Sequence, residues 1–140
     1  MRESRAKRSG AMLAIDTDLI VRYLTGDHPR QSARARALID GNDVFVAATV
    51  LLETEWVLRS VYEFTTALVS KALRDFAGLP RVTIEDEGVV AQALDWMDAG
   101  IDFADALHLA KARACEAFIT FDERLARAAN RLGAAKARAP

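Results

Sequence analysis

The segment DFADALHLAKARACEAFITFDERL, residues 102–125, decides the fold because it combines helical and strand patterns around a few acids. Its first half has the spacing of an amphipathic helix, AFITF is a continuous apolar run typical of a buried strand, and DERL begins another helix. Asp102, Asp105 and Asp122 interrupt these apolar stretches. A carboxylate beside a core costs free energy unless it has a partner, so the segment predicts a strand between two helices and a ligand for its acids.

The same alternation of strands and helices continues over the rest of the chain. Short apolar runs predict further strands at 12–16, 44–49 and 81–84, with helical spacing between them. Strands that are apolar throughout and alternate with helices favour a parallel sheet that is covered on both faces. In such a sheet the loops after the strands share one edge, where ligands usually bind. Asp16 ends the first predicted strand and Asp122 follows the fourth, so both are candidates for that edge.

The composition restricts the class of protein. The chain has 140 residues, 51% hydrophobic and 28% charged, which suits one globular domain rather than a disordered chain. No apolar run is long enough to cross a membrane, so no membrane partner is expected. The one cysteine, Cys115, is predicted to lie in the core and favours a reducing cytoplasm. Residues 1–11 are interpreted as a flexible basic tail, followed by a single domain over 12–140.

Four acids share one feature, because each interrupts an apolar context at a strand end or on the predicted inner side of a helix. They are Asp16, Glu53, Asp105 and Asp122. No Lys or Arg lies next to any of them in sequence, whereas a hard divalent cation binds several carboxylate oxygens at once. Such an ion lowers the pKa of a bound water and holds a phosphate oxygen. The four acids therefore predict a Mg²⁺ or Mn²⁺ site suited to phosphodiester hydrolysis.

Local helix patterns give further expectations and some plainer explanations. Glu53 shares one side of its helix with Trp56, so both are predicted to face the core. Thr17 or Asp18 is predicted to cap the first helix, and Asp102 is also a good N-cap by position. Each acid therefore has a structural explanation that remains open beside the functional one.

Four segments resemble the PIN-domain ribonucleases, and most closely the VapC-type toxins of bacterial toxin–antitoxin pairs. They are LAIDTDLIVRYLTGD, VLLETEWVLRSVY, GIDFADALHLAKARA and AFITFDERLARAA, in family order from about Met12 to Asn130. The resemblance implies a three-layer α/β/α sandwich with a short parallel sheet of four to five strands. It also implies that Asp16, Glu53, Asp105 and Asp122 bind Mg²⁺ or Mn²⁺, with support from Asp102, Thr120 and Thr17. The final strand that the family often has is hard to find in LGAAKARAP.

The resemblance also implies a function and partners. It implies an endoribonuclease that cleaves structured tRNA, rRNA or mRNA, inhibits translation and growth, forms a homodimer and is neutralised by a cognate antitoxin protein. Arg22 and Arg124 are candidate RNA contacts, and Arg127 and Arg131 continue the row of Arg124 at helical spacing. A solvated helix face is the default interpretation of that row, and for Arg22 a simple surface position remains an equal alternative.

Two other functions remain open from the sequence alone. AIDTDLI also resembles the haloacid-dehalogenase phosphatases, in which Asp16 would be the nucleophile and Asp18 the acid. Alternatively, the chain is a binding module that keeps the PIN fold without its chemistry. A phosphatase would need Asp18, whereas a PIN nuclease would not.

Overall fold

The computed structural model describes residues 12–140, so the predicted basic tail at 1–11 lies outside the described residues. Between residues 12 and 140 the chain forms seven helices and five strands. They belong to two compact units, the first ending at Glu87 and the second running from Gly88 to Pro140. None of the helices in this described part is both long and apolar enough to span a bilayer.

The first unit contains a three-stranded parallel sheet and four helices. In chain order its elements are β1 (Leu13–Ala14), α1 (Thr17–Thr25), α2 (Pro29–Gly41), β2 (Val44–Val46), α3 (Ala48–Ser60), α4 (Thr66–Ala77) and β3 (Val82–Ile84). The strand order is β1-β2-β3, and both pairings are parallel. β2 is the central strand, and its two valines are fully buried, as expected for the middle of a parallel sheet.

Local sequence explains where the first helices begin and end. The Asp16 carboxylate caps α1 by accepting from the backbone N–H of Thr17 at 2.8 Å. The predicted caps Thr17 and Asp18 instead lie inside the first turn, because the helix starts one residue earlier than expected. α1 ends at Gly26, whose φ of 65° is the left-handed conformation that glycine adopts without steric cost. Pro29 occupies the first turn of α2, as its fixed φ favours.

The second unit contains three helices and a pair of strands. Its elements are α5 (Glu87–Asp98, which starts at the boundary), α6 (Phe103–Lys111), β4 (Phe118–Ile119), α7 (Glu123–Arg131) and β5 (Ala137–Arg138). β4 and β5 are parallel, with Phe118 opposite Ala137. The Asn130 side chain donates to the carbonyl of Ala137 and accepts from its N–H, at 2.8 and 3.2 Å. This amide on α7 therefore fixes the position of the final strand.

The structure confirms the α/β fold class with parallel strands, and it corrects several details. The main sheet has three strands rather than four to five, because β4 and β5 pair with each other. β1 was predicted to be buried, but Leu13 is 43% exposed. Trp56 is 54% exposed and Cys115 is also exposed, so neither belongs to the core. Trp56 lies on the exposed side of α3 with Glu53 and Arg59, and Cys115 lies in the turn after α6. A count of apolar neighbours in sequence does not reveal either position.

Candidate functional site

A pocket in the second unit brings together three of the predicted acids and a row of arginines. It has a volume of about 360 Å³ and is formed by the turn before α6, the start of α6 and one face of α7. Its charged lining residues are Asp102, Asp105, Asp122, Arg124, Arg127 and Arg131. The pocket therefore contains side chains of both charge signs.

The two helix starts explain how the acids reach this pocket. Asp102 occupies the N-cap position of α6 without capping it through its side chain, and Asp105 lies in the first turn. Asp122 caps α7, with its Oδ1 accepting from the backbone N–H of Leu125 at 3.0 Å. The Thr120 hydroxyl accepts from the backbone N–H of Asp122, also at 3.0 Å. Thr120 therefore restrains the backbone from which the Asp122 carboxylate projects.

The acids of this pocket influence one another. Partial burial raises the pKa of Asp105 above its ordinary value, and the negative charges of Asp102 and Asp122 raise it further. His108 acts in the opposite direction, although it does not outweigh them. A cation bound beside Asp105 would offset the burial cost and the repulsion, and would favour its ionised form.

In the described part of the chain, the arginines of the pocket do not form ion pairs with its acids. Arg124, Arg127 and Arg131 follow one face of α7 at spacings of three and four residues, and all three are exposed. Within residues 12–140 none of their guanidinium groups forms an ion pair with a carboxylate of the pocket. The three arginines of this pocket are therefore able to bind an anionic ligand.

The first unit brings together the other predicted acids through a threonine. The buried Thr17 follows Asp16 directly, and its hydroxyl donates to Oε1 of Glu53 on α3 at 2.5 Å. Since Asp16 accepts from the backbone N–H of the same Thr17, one residue orients both carboxylates. The sequence predicted a supporting role for Thr17, and the structure identifies Glu53 as the group that it contacts.

The prediction that Glu53 and Trp56 face the core is wrong, because the phase of α3 differs from the expected one. Both residues are exposed, and the inner side of the helix carries Leu51 and Leu58 instead. The buried acid of this helix is Glu55, which is 3% exposed and pairs with Arg59 at 2.8 Å. The Glu55–Arg59 spacing of four residues was the available signal for this ion pair.

Arg22 lies in a hydrogen-bond network that sequence reasoning missed. Its Nε donates to Gln31, and its Nη1 donates to the hydroxyl of Tyr62 at 3.0 Å. The same Nη1 is 3.5 Å from the carboxylate of Asp27. Hydrogen bonds from the hydroxyls of Tyr62 and then Thr25 lower the pKa of Asp27. Tyr62 is distant from Arg22 in sequence, so no local pattern could have indicated this contact.

Comparison with known families decides the class of protein. The family model described as PIN domain matches residues 13–131, which is most of the chain. The chain belongs to the PIN domain family. No curated protein matches the chain. PIN domains are in general nucleases that use divalent metal ions, so the match supports a hydrolase of phosphodiester bonds in general terms.

The acids of this PIN domain fit a divalent ion by their chemistry. They offer only oxygen donors, which Mg²⁺ and Mn²⁺ prefer, and the charges at Asp102 and Asp122 already act on Asp105. Among residues 12–140, no three His, Cys, Asp or Glu side chains are gathered as a metal-binding group. The fit to a divalent ion therefore rests on the oxygen chemistry of the carboxylates.

The raised pKa of Asp105 predicts a change in stability. Asp105→Asn removes a repelled charge, so the metal-free protein at neutral pH should melt higher by about 1–2 °C, since exposed charges interact weakly. The pKa of Asp105 is higher in the folded state than in the unfolded state. The parent protein therefore loses stability as the pH rises through the folded-state pKa. The difference between the two proteins should therefore disappear in acid. Thermal unfolding in EDTA at neutral and acid pH measures this, and an unchanged or lower midpoint at neutral pH would contradict it.

Proposed function

We propose that this PIN domain is a Mg²⁺- or Mn²⁺-dependent endoribonuclease that cleaves structured cellular RNA, namely tRNA, rRNA or mRNA. In this proposal it is a VapC-type toxin that inhibits translation and growth and acts in the cytoplasm. The family match supports a nuclease, and the ordered segments around Asp16, Glu53, Asp105 and Asp122 support the toxin subtype.

One observation carries the proposal. The pocket of the second unit holds Asp102, Asp105 and Asp122 together with three exposed arginines, and within the described residues none of these arginines forms an ion pair with a carboxylate of the pocket. Exposed ion pairs contribute little stability, so the arginines remain able to bind an anionic ligand. A cation at the carboxylates and a phosphate at the arginines would satisfy both groups, and a phosphodiester with its metal ion supplies both.

Each group then has a defined role. In this proposal Asp16, Glu53, Asp105 and Asp122 would hold one or two divalent ions, with Asp102 as an auxiliary ligand. The bound ion would supply an activated water and a contact to a phosphate oxygen. Thr17 and Thr120 orient the acids through the hydrogen bonds described above. Arg124, Arg127 and Arg131 would hold backbone phosphates, which guanidinium groups bind bidentately.

The same chemistry suggests how a partner would inhibit the enzyme. A guanidinium group binds carboxylates bidentately, so an inserted arginine side chain could occupy the place of a metal ion among the acids. We therefore propose a cognate antitoxin that inserts an Arg among the acids, and a homodimer as the active assembly. Co-expression with the neighbouring reading frame, followed by size-exclusion chromatography with light scattering, measures both.

The experiment that tests the function is cleavage of end-labelled tRNA, rRNA and mRNA by the purified chain. Discrete fragments are expected with Mn²⁺ or Mg²⁺, none with EDTA, and cleavage should return when the ion is restored. Absence of fragments with every RNA and ion would favour the inert binding module. Hydrolysis of p-nitrophenyl phosphate that depends on Asp18 would instead favour the phosphatase.

A further inference from the structure

The first unit contains a pocket of its own, and the metal-dependent chemistry proposed above gives this pocket no role. It lies between α1 and α2 and has a volume of about 380 Å³. Asp18, Leu19 and Arg22 line it from α1, and Gln31, Arg34 and Leu38 line it from α2. We call it the α1/α2 groove. It combines two guanidinium groups with an apolar floor.

The structure holds the guanidinium of Arg22 in a fixed position. Gln31 accepts from its Nε at 2.8 Å, and the Tyr62 hydroxyl accepts from Nη1. Tyr62 in turn donates to Asp27 at 2.7 Å, which keeps that carboxylate beside Arg22. Within the described residues no hydrogen bond of Nη2 is present, so one edge of the fork stays available. A guanidinium that is already positioned loses little conformational entropy when it binds a ligand.

The opposite side of the groove is basic because of the composition of α2. From Pro29 to Ile39 this helix contains Arg30, Arg34 and Arg36 and no acid. Arg34 is exposed, and over residues 12–140 it forms no ion pair. The one acid in the groove, Asp18, lies in the first turn of α1, where the helix dipole partly balances its charge.

An anion with an apolar body fits these features best. Two guanidinium groups recognise phosphate oxygens through directed N–H donors, and the floor of Leu19, Ala35 and Leu38 suits the face of a sugar. An acidic peptide would offer carboxylates instead. A nucleic acid is favoured because the chain belongs to a nuclease family, whose substrates carry a phosphate at every nucleotide, and the proposed function makes that nucleic acid RNA.

We propose that the α1/α2 groove binds the phosphodiester backbone of the RNA substrate through Arg22 and Arg34, with Tyr62, Asp27 and Gln31 as positioning residues for Arg22. This inference rests on the proposed nuclease function. It adds a binding subsite, formed within the first unit, to the pocket of acids and arginines in the second. Each phosphate contact contributes to the salt dependence of binding, which makes the subsite measurable.

The test is the affinity of a fluorescein-labelled single-stranded RNA, measured by anisotropy in EDTA at several salt concentrations. Arg34→Gln should weaken binding by up to about 5-fold, the size of an exposed ion pair. It should also reduce the slope of log K against log salt by about 0.7, the value for one phosphate of a single strand. Arg34→Lys should retain the slope. Tyr62→Phe removes the hydroxyl that positions the Arg22 guanidinium but leaves the charge of Arg22 in place. It should therefore weaken binding without changing the slope.

Arg113→Gln is the matched control, since Arg113 is exposed and lies outside both pockets. The proposal is overturned if Arg34→Gln and Arg113→Gln change the affinity and the slope equally, or if Arg34→Gln weakens binding of a polyglutamate peptide but not of RNA. Cleavage with Mn²⁺ is assayed separately. If the parent protein cleaves RNA and Arg34→Gln binds RNA normally, only the proposed groove subsite is refuted. If the parent binds RNA through the groove but does not cleave it, only the proposed nuclease function is refuted.

Discussion

Asp105→Asn is expected to lower kcat/KM for metal-dependent RNA cleavage by at least about 10²–10³-fold. Losses of this size are typical when a group that stabilises charge in the transition state is removed. Asp105 is half-buried, and burial together with the charges of Asp102 and Asp122 raises its pKa, so a cation bound beside it would offset that repulsion. The substitution keeps the side-chain shape and removes only the charge, and initial rates with Mn²⁺ measure the effect.

Glu116→Gln is the matched control for this variant. It removes one negative charge from an exposed position in the same unit, outside the pocket. Its cleavage rate should stay close to that of the parent, because a distant surface charge is screened by salt. If the parent requires Mn²⁺ and Asp105→Asn cleaves at the same rate, Asp105 has no part in the reaction.

Asp16→Asn and Glu53→Gln are each expected to lower kcat/KM for RNA cleavage about as much as Asp105→Asn does. Both residues belong to the first unit. The proposal assigns them to the same metal-dependent reaction, and the match to the PIN family covers the segments that contain them. Thr17→Val keeps both acids and removes the hydroxyl that donates to Glu53. It should cost about 10–100-fold, as is usual for a residue that orients a metal ligand.

Asp18→Asn is the matched control for Asp16→Asn, because it removes the same charge two residues further along the chain. A nuclease should retain most of its cleavage activity in this variant, whereas a phosphatase of the Asp-x-Asp type should lose all activity. Normal cleavage by both Asp16→Asn and Glu53→Gln would show that the acids of the first unit serve only the fold. Circular dichroism of each variant excludes misfolding as the cause of a loss.

Residues at helix starts and strand ends were the easiest to predict from the sequence. Asp122 directly follows an apolar strand and begins a helix, so both its cap and its place in the acidic pocket follow from local pattern. Asp102 and Asp105 lie within one helical turn of each other, so their mutual repulsion was also foreseeable. In these cases backbone geometry alone decides which side chains meet.

Features that depend on distant contacts were not predictable. The final strand, Ala137–Arg138, contains no β-branched residue and is held by the side chain of Asn130. Glu53, Glu55 and Trp56 lie close together on α3, and the periodicity of the sequence does not decide which of them faces the core. Tertiary packing buries Glu55. The contact of Arg22 with Tyr62 bridges two helical regions that no periodicity connects. Such features depend on how elements pack, which a single sequence specifies only indirectly.

The central claim is that the carboxylates of this PIN domain hold a divalent ion, and calorimetric titration of Mn²⁺ into the metal-free protein tests it most directly. The account predicts saturable binding by the parent and by Glu116→Gln, and loss of that binding in Asp105→Asn and in Asp16→Asn. Binding of equal affinity by the parent and by Asp105→Asn would contradict the account, because the ion would then be held by groups other than the acids of the pocket.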